Sequence, residues 1–289
     1  MAGVGAYLIW GSSPLYWNAI DHVPPAEALS WRVAWAIAIL LVVLAIRGEW
    51  SDLRRALATS KTLRISVGAG LLLSINWATF LWAVTSGHIV EVSLGYYINP
   101  LMIVALGVLI LGETLSPGAR VAVAIATAAV VLMTVASGEW PWIALALAIS
   151  FALYGLLKKQ PETAPPLESL LIEATTAAIP LSLYLVYIIA RGESVVAGSA
   201  QDLLLIPFSG VITVAPLLLF GMAARGMALS SLGMLQYIAP TLQLVLGIWL
   251  YGEVMTPAEA WGFAAVWVAL GIYAADILRS RDDTPEAAG

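Results

Sequence analysis

The chain has 289 residues, of which 61% are hydrophobic and only 11% are charged. A soluble domain carries about 25% charged residues, so these charges cannot coat a globule, although they can coat loops at two membrane faces. The net charge of −5 offers no basic surface to nucleic acid, and a chain without cysteine and with only two histidines, His22 and His88, predicts no disulfide, metal site or other cofactor.

Ten mostly apolar stretches follow one another along the chain, and each is long enough, or nearly so, to cross a membrane as a helix. In chain order they are 2–19, 26–46, 64–85, 90–111, 117–136, 141–157, 168–190, 203–224, 230–250 and 257–277. The sixth is short, which indicates tilt or local thinning of the bilayer. The sequence therefore predicts an all-α integral membrane protein with ten transmembrane helices.

Lysine and arginine collect in the loops on one side of these spans, and this bias sets orientation in a membrane. Among the loops of the other side, only Arg191 is basic. We therefore predict that both termini are cytoplasmic in a bacterial-type inner membrane, and that residues 282–289 form a disordered tail. The residues of the basic side are Arg47, Arg54, Arg55, Lys61, Arg64, Arg120, Lys158, Lys159, Arg225, Arg279 and Arg281.

The two halves of the chain, 1–138 and 139–281, carry the same pattern of residues. Ile98, Pro100, Gly107, Gly112, Glu113 and Pro117 recur 140 positions later as Ile238, Pro240, Gly247, Gly252, Glu253 and Pro257. Because each half holds five spans, an odd number, the second half should enter the membrane in the opposite sense. This predicts two inverted five-helix repeats, the architecture of many secondary transporters. A duplicated scaffold or a channel would carry a repeat as well.

One segment resembles a known family. It contains Asn76-Trp77, the run from Glu91 to Leu101 (EVSLGYYINPL) and Gly112-Glu113, and the run from Pro25 to Arg32 (PAEALSWR) adds to it. These motifs resemble the RarD branch of the EamA-type drug/metabolite transporters, and the likeness covers nearly the whole chain. The resemblance implies a ten-helix inverted-repeat exporter with a central cavity, whose cargo in the wider superfamily includes amino acids, other metabolites and drugs.

Polar side chains inside spans are costly in lipid, so they should face protein or water. Combined with aromatic rings, they suit an amphipathic cargo, with apolar walls for its body and a few polar groups for its head. Each ring has an alternative role in ordinary packing, and we assign Trp17, Trp50, Trp140 and Trp142 to the interfacial belt. The predicted cargo-binding residues are Trp10, Asn76, Trp77, Phe80, Tyr96, Tyr97, Asn99, Tyr154, Gln236, Tyr237 and Gln243.

Pro100 and Pro240 lie in the middle of the fourth and ninth spans. Each removes one backbone hydrogen bond and clashes with the preceding turn, so each should kink its helix. Their equivalent positions favour a shared role as hinges, and a kink needed only for packing is the alternative.

Arg32 and Glu173 occupy equivalent positions in the second and seventh spans, with opposite charge. Each lies about 10 Å inside its own membrane face, at opposite faces of a core about 30 Å thick, so a direct ion pair is not expected. We predict separate gating roles at the outer and inner mouths, where each group attracts one end of a zwitterion or a proton. The alternative for both is that the side chain reaches out to the nearest interface.

Glu113 and Glu253 end the fourth and ninth spans, just before Ser116-Pro117 and Thr256-Pro257. Because Ser or Thr followed by Pro is typical of a helix start, and a helix N-terminus favours a carboxylate, we predict that both glutamates lock their own helical hairpins.

These features together predict an inner-membrane transporter of small metabolites, and the resemblance to the EamA-type family implies an exporter with aromatic or other apolar amino acids as the favoured cargo. The chain contains no nucleotide-binding or catalytic motif, so we expect neither an enzyme nor built-in ATP hydrolysis. A multidrug permease of the same fold and a channel are the alternatives. The predicted partners are the lipid bilayer and small-molecule cargo, without nucleic acid, and a monomer suffices in principle.

Overall fold

The computed structural model describes residues 1–138, 140–196, 199–252 and 257–282, and within them it contains helices and no strands. The helices are α1 (Ala2–Ser12), α2 (Pro14–Trp17), a 3₁₀ turn (Asn18–Ile20), α3 (Pro25–Arg47), α4 (Trp50–Ala58), α5 (Ser60–Thr85), α6 (Ile89–Leu109), α7 (Pro117–Ser137), α8 (Trp142–Lys158), α9 (Pro166–Ala190), α10 (Ala200–Gly226), α11 (Leu229–Gln236), α12 (Ile238–Tyr251) and α13 (Pro257–Asp282). The predicted tail, 282–289, lies outside these ranges except for Asp282, which ends α13, and the predicted lock at Glu253 lies outside them as well.

Eight apolar stretches within the described ranges are long enough to cross a membrane, which confirms an all-helical integral membrane protein. The sixth predicted span, 141–157, corresponds to the helix Trp142–Lys158, which is apolar but shorter than the others. The first predicted span is interrupted, because α1 ends at Ser12 and a new helix starts at Pro14. Proline has no N–H to continue the helical ladder, so the chain breaks there.

The two predicted hinge prolines differ in their effect on the backbone. Helix α6 runs from Ile89 to Leu109 with Pro100 inside it and without a break. The equivalent chain in the second half is divided at Tyr237 into α11 and α12, three residues before Pro240. A proline has no N–H to donate to the carbonyl one turn before it, so that carbonyl loses its helical hydrogen bond. Only in the second half is the helix also broken next to this carbonyl.

The helices pack in pairs that run across both halves of the chain. Close packing joins α6 to α8 and α11, α7 to α13, α3 to α9 and α10, α5 to α8 and α9, and α1 to α10, α11 and α12. At one end of this bundle, which we call the basic end, Lys159 Nζ lies 2.6 Å from the Met227 carbonyl and Arg225 Nη2 lies 2.7 Å from the Thr163 carbonyl. At the opposite end, the turn after α9 meets the start of α3.

Helix α4 lies at the basic end, in a stretch that the sequence analysis treats as a loop. It is short, its Arg54 and Arg55 are exposed, and it packs on α5 and α9 through one side. An isolated helix of this length is only marginally stable in water, so α4 is stabilised by its packing on α5 and α9 and not by its length or apolarity.

Close helix packing depends on glycine at two points near the bundle centre. A Cβ atom at Gly233 would lie 2.7 Å from the carbonyl oxygen of Pro100, and one at Gly70 would lie 2.9 Å from the backbone of Glu173. Glycine therefore lets α11 approach α6, and α5 approach α9.

Candidate functional site

Arg32 lies between aromatic rings in the half of the bundle nearer the opposite end. Its guanidinium carbon is 4.5 Å from the ring centroid of Trp77 on α5 and 5.6 Å from that of Trp17 on α2. The Tyr96 phenol on α6 is close enough to interact electrostatically with it. Arg32 and Tyr96 each stand two turns inside the start of their helix, and Trp77 stands about two turns before the end of α5, so all three share one depth. We call these four residues the Arg32 site.

The cation of Arg32 has no acidic partner and makes no hydrogen bond to the residues that the structure describes. Its Nε is buried without an acceptor. Cation–π contacts supply about 2 kcal/mol when desolvated, whereas removing an ion from water costs several kcal/mol. The site therefore holds a positive charge that the surrounding protein compensates only in part.

Two primary amides nearer the middle of the bundle are also unpaired. Asn99 on α6 and Gln236 on α11 are buried, and neither amide oxygen has a donor within the described ranges. Asn99 follows Tyr96 by three residues, so the two side chains share a face of α6. Buried polar groups normally find a partner, so these amides mark a place where water or a ligand belongs.

The other two predicted amides are engaged in helix packing. Asn76 Nδ2 donates to the Leu147 carbonyl at 2.9 Å and to Ser150 Oγ at 3.0 Å, which fixes α5 to α8. Gln243 Nε2 donates to the Trp10 carbonyl at 3.3 Å. These amides hold neighbouring helices together, so they have fewer free donors for hydrogen bonds to a cargo.

The predicted aromatic residues divide into exposed and buried sets. Phe80 is 38% exposed and Tyr96 is 39% exposed, and Trp10 and Trp77 are partly exposed. Tyr97, Tyr154 and Tyr237 are fully buried. Tyr97 packs edge-on against Phe263, and the Tyr237 hydroxyl donates to the Tyr97 carbonyl at 3.1 Å. In this conformation the exposed rings, and not these three tyrosines, present surface to a cargo.

An aromatic cluster lies toward the basic end from the Arg32 site. Trp10 packs against Phe151 with ring centroids 5.7 Å apart, Phe151 against Phe220 at 5.1 Å, and Tyr154 stacks on Phe220 at 5.8 Å. These rings come from α1, α8 and α10, so they close the space between three helices.

Beneath this cluster lies a buried ion pair between Lys158 and Glu173. Lys158 Nζ is 2.6 Å from Glu173 Oε1 and donates to Ser169 Oγ at 2.9 Å. The Tyr154 hydroxyl donates to Glu173 Oε2 at 3.0 Å, and Ser169 donates to Oε1 at 2.5 Å. Lys158 is 2% exposed and Glu173 is 0% exposed. We call these four residues the Lys158–Glu173 lock, since they join the end of α8 to α9 through buried side chains.

The lock corrects the predicted environment of Glu173. The sequence predicts a gating role for Glu173 at the inner mouth, and the structure pairs this carboxylate with Lys158, a residue placed in a loop by the predicted spans. The Arg32 and Glu173 side chains do not contact each other. Sequence reasoning also missed Trp17, which it assigned to the interfacial belt, and Ser169, whose spacing of four residues before Glu173 is the signal that could have revealed it.

A second polar contact at the basic end joins the two halves of the chain. The Glu113 carboxylate accepts hydrogen bonds from the backbone N–H groups of Leu229 at 2.6 Å and Ser230 at 2.8 Å, and Lys159 Nζ lies 3.8 Å away. Burial alone would raise the pKa of Glu113, but Ser230, Leu229 and Lys159 outweigh it and hold this pKa below its ordinary value. The predicted hairpin lock is wrong here, because Ser116 caps α7 whereas Glu113 caps α11.

The comparisons with known proteins cover almost the entire chain. Residues 1–135 match the EamA-like transporter family. Protein RarD of Streptomyces exfoliatus is 41% identical over 280 residues, which span 96% of this chain and 88% of that protein. An uncharacterized transporter of Pseudomonas aeruginosa is 38% identical over 289 residues (98% and 95%), and protein RarD of Escherichia coli is 35% identical over 294 residues (98% and 96%).

A solved crystal structure shares the fold, with a TM-score of 0.72 and 20% identity over 98% of each chain. With eight apolar spans in its described residues and transporters among its relatives, the molecule is a multi-pass transporter of the bacterial inner membrane and not an enzyme. The chain belongs to the EamA-like transporter family, in the branch that contains RarD, which confirms the resemblance seen in its sequence.

Proposed function

We propose that this protein exports small metabolites, with aromatic and other apolar amino acids as its main cargo, by alternating access in a ten-helix inverted repeat. Both termini are proposed to be cytoplasmic, so the basic end faces the cytoplasm. The ten helices are the eight long spans, the short α8, and the interrupted pair of α1 and α2.

The pattern of helix packing supports the inverted repeat. If each helix of one half is exchanged for its counterpart in the other, the packed pairs map onto one another: α6 with α8 maps onto α12 with α1, and α3 with α10 maps onto α5 with α9. The pairs α7 with α13 and α6 with α11 map onto themselves. A bundle of this kind has two related packings, and exchange between them opens a central site to each face in turn.

Repeated local structure supports the same conclusion. Gly48 follows the last residue of α3 and Gly192 lies just after α9, and both glycines have φ of 68°. The arginine before each glycine pairs with the glutamate after it at 2.7 Å from Nε, Arg47 with Glu49 and Arg191 with Glu193. Similar chemistry at matched positions indicates descent from one unit.

Two equivalent glutamates are engaged differently at the two ends. Glu27, in the first turn of α3, accepts hydrogen bonds from the N–H groups of Val195 and Val196 in the turn after α9. Glu168, in the first turn of α9, lies near Glu49 and the other charges after α3, but neither of its buried oxygens has a donor in the described structure. In the state that is open to the cytoplasm, Glu168 would accept hydrogen bonds from the turn after α3, as Glu27 accepts them here from the turn after α9.

The contrast between the two ends carries the proposal. Exposed rings and unpaired polar groups lie at the Arg32 site and just below it, whereas the Lys158–Glu173 lock and the Glu113 cap lie at the basic end. This fits a carrier open to the outside and closed to the cytoplasm. A channel would need a continuous polar path, and the aromatic cluster around Phe220 interrupts it.

The proposed cargo contacts are the exposed rings and the unpaired amides. Trp10, Trp77, Phe80 and Tyr96 would enclose an apolar side chain, while Asn99 and Gln236 would meet polar atoms of the cargo. Pro100 and Pro240 are proposed as hinges on either side of this site, with Pro240 as the more mobile one because its helix is already divided at Tyr237.

Counterflow in proteoliposomes tests this function. Vesicles loaded with unlabelled phenylalanine should take up labelled phenylalanine with saturable kinetics, and protein-free vesicles should not. Saturable exchange of a cationic drug but not of amino acids would instead indicate a multidrug permease. A flux that grows linearly with concentration would indicate a channel and contradict the proposal.

A further inference from the structure

Arg32 differs from the other strongly charged groups that α3, α8 and α9 bury. Glu27 is held by backbone N–H groups, and Lys158 and Glu173 hold each other. Arg32 has aromatic neighbours but no anion among the described residues, and Glu168 shares this lack of a partner. Unlike Glu168, Arg32 is partly exposed, and it stands beside the exposed ring of Tyr96. A partly open cation without a counter-ion is the arrangement expected of a binding group.

We propose that Arg32 binds the carboxylate of the cargo, so that the transported class is small carboxylates with an aromatic or apolar body. This inference rests on the proposed transport function and specifies its substrate. It replaces the gating role that the sequence suggested for Arg32 with a direct contact.

The geometry around the guanidinium favours a carboxylate over other anions. The guanidinium carbon lies 4.5 Å from the ring centroid of Trp77 and 5.6 Å from that of Trp17, so two rings restrict the directions from which a ligand can approach. Nε has no accessible surface, which leaves the two terminal nitrogens for the ligand. Two parallel N–H groups match the two oxygens of a carboxylate, and a guanidinium already held by rings loses little freedom when it binds.

The same arrangement places an apolar body beside the carboxylate. The rings of Trp77 and Trp17 flank the cation, and Phe80 lies one turn further along α5, toward the opposite end. Asn99 lies one turn, about 5 Å, deeper along α6 and offers an unpaired oxygen to a cargo N–H group. An aromatic amino acid satisfies all of these groups, and an aromatic acid without its amino group still satisfies the charge.

Three related compounds separate the contributions of charge in a competition experiment. Phenylalanine carries both charged groups, 3-phenylpropanoate lacks the ammonium, and phenethylamine lacks the carboxylate. In proteoliposomes with the full chain, phenylalanine and 3-phenylpropanoate should compete for labelled phenylalanine, and phenethylamine should be weaker by about 30-fold or more. Truncating one partner of a desolvated charge pair usually costs at least this much.

Variants assign the effect to Arg32. Arg32→Gln should raise the KM for phenylalanine by about 30-fold and leave the inhibition constant of phenethylamine within threefold of the native value. Arg32→Lys should recover part of the loss, because the charge returns without the paired geometry. Arg64→Gln is the matched control, since Arg64 is an exposed arginine at the basic end that bonds only to its own helix.

A binding measurement keeps the inference separate from the proposed function. If the native protein does not transport phenylalanine, the amino-acid proposal fails, and thermal shift in detergent then decides the role of Arg32. 3-Phenylpropanoate should raise the melting temperature of the native protein and of Arg64→Gln but not of Arg32→Gln, and phenethylamine should raise none. Equal shifts by the acid and the amine, or an unchanged KM in Arg32→Gln, would overturn the inference.

Discussion

Arg32 and Glu173 stand at the same place in their helices, eight residues into the helix that follows a Pro-Pro pair, yet their surroundings are opposite. Arg32 is partly open, lies against Trp77 and Trp17, and has no ion-pair partner in the described chain. Glu173 is fully buried, and Lys158, Ser169 and Tyr154 satisfy both of its oxygens. The Arg32 site can therefore accept an anionic ligand, whereas the Glu173 carboxylate already has all of its hydrogen-bond partners.

The difference shows how related positions can take different tasks. A completed network stabilises one arrangement of the helices, so the Lys158–Glu173 lock suits a seal that opens and closes. An incomplete site stabilises whatever supplies the missing charge, so the Arg32 site suits a ligand. The comparison therefore predicts that removing a charge is costly at the lock and inexpensive at the Arg32 site.

The largest effect is expected when the lock loses one partner. Lys158→Met leaves the Glu173 carboxylate buried without its counter-ion, which should lower the free energy of unfolding by about 3–5 kcal/mol. Thermal unfolding in detergent measures this change. The double variant Lys158→Met/Glu173→Gln should recover most of the loss, because no uncompensated charge remains. If the single variant is as stable as the native protein, the lock does not stabilise this state.

A smaller effect is expected at the cap between the halves. Glu113→Gln removes charge-assisted bonds to Leu229 and Ser230 and should cost about 1–2 kcal/mol at pH 7. The pKa of Glu113 is lower in the folded protein than its ordinary value of about 4.3. Glu113 therefore contributes fully to the free energy of unfolding above about pH 4.3, and this contribution is lost as the pH falls through the folded pKa.

The pH dependence of unfolding checks the Glu113 prediction. The stability difference between native protein and Glu113→Gln should be constant near neutrality and should shrink below about pH 4. Glu193→Gln, in the exposed pair with Arg191, provides a control whose effect should stay within about 1 kcal/mol. A difference that grows as the pH falls would contradict the assigned cap.

The smallest effect, and the opposite sign, is expected at the Arg32 site. Arg32→Met keeps the length of the side chain and removes a charge that only rings compensate, so the free energy of unfolding should rise by up to about 1 kcal/mol or stay unchanged. Thermal unfolding measures this effect as well. A loss above about 2 kcal/mol would mean that Arg32 holds the structure together and does not await a ligand.

Much of the helical frame could be predicted from the sequence, because hydropathy and helix boundaries are local properties. The predicted span 117–136 and the observed α7 (Pro117–Ser137) nearly coincide, since Ser116 and Pro117 start the helix and Gly138 ends it. The short helix α4 was missed because it is neither long nor apolar. The breaks at Ser13 and Tyr237 were missed because the hydrophobic pattern continues through them.

The candidate site was only partly predictable, because its contacts join distant parts of the chain. The aromatic and polar residue types near Arg32 were visible, but its position over Trp77 depends on how α3 meets α5. Lys158 lies one residue beyond its predicted span, and a lysine there usually reaches the surface. Only the approach of α9 turns it inward toward Glu173.

Thiol labelling in oriented membranes tests the central claim that one end is open while the other is sealed. The chain has no native cysteine, so Tyr96→Cys and Ser169→Cys each provide a single probe. An impermeant maleimide outside the cell should label Tyr96→Cys and leave Ser169→Cys unlabelled. On right-side-out membranes, an aromatic amino acid should protect the first cysteine, and in inverted vesicles it should increase labelling of the second. Labelling of both cysteines from the same side without cargo would contradict alternating access.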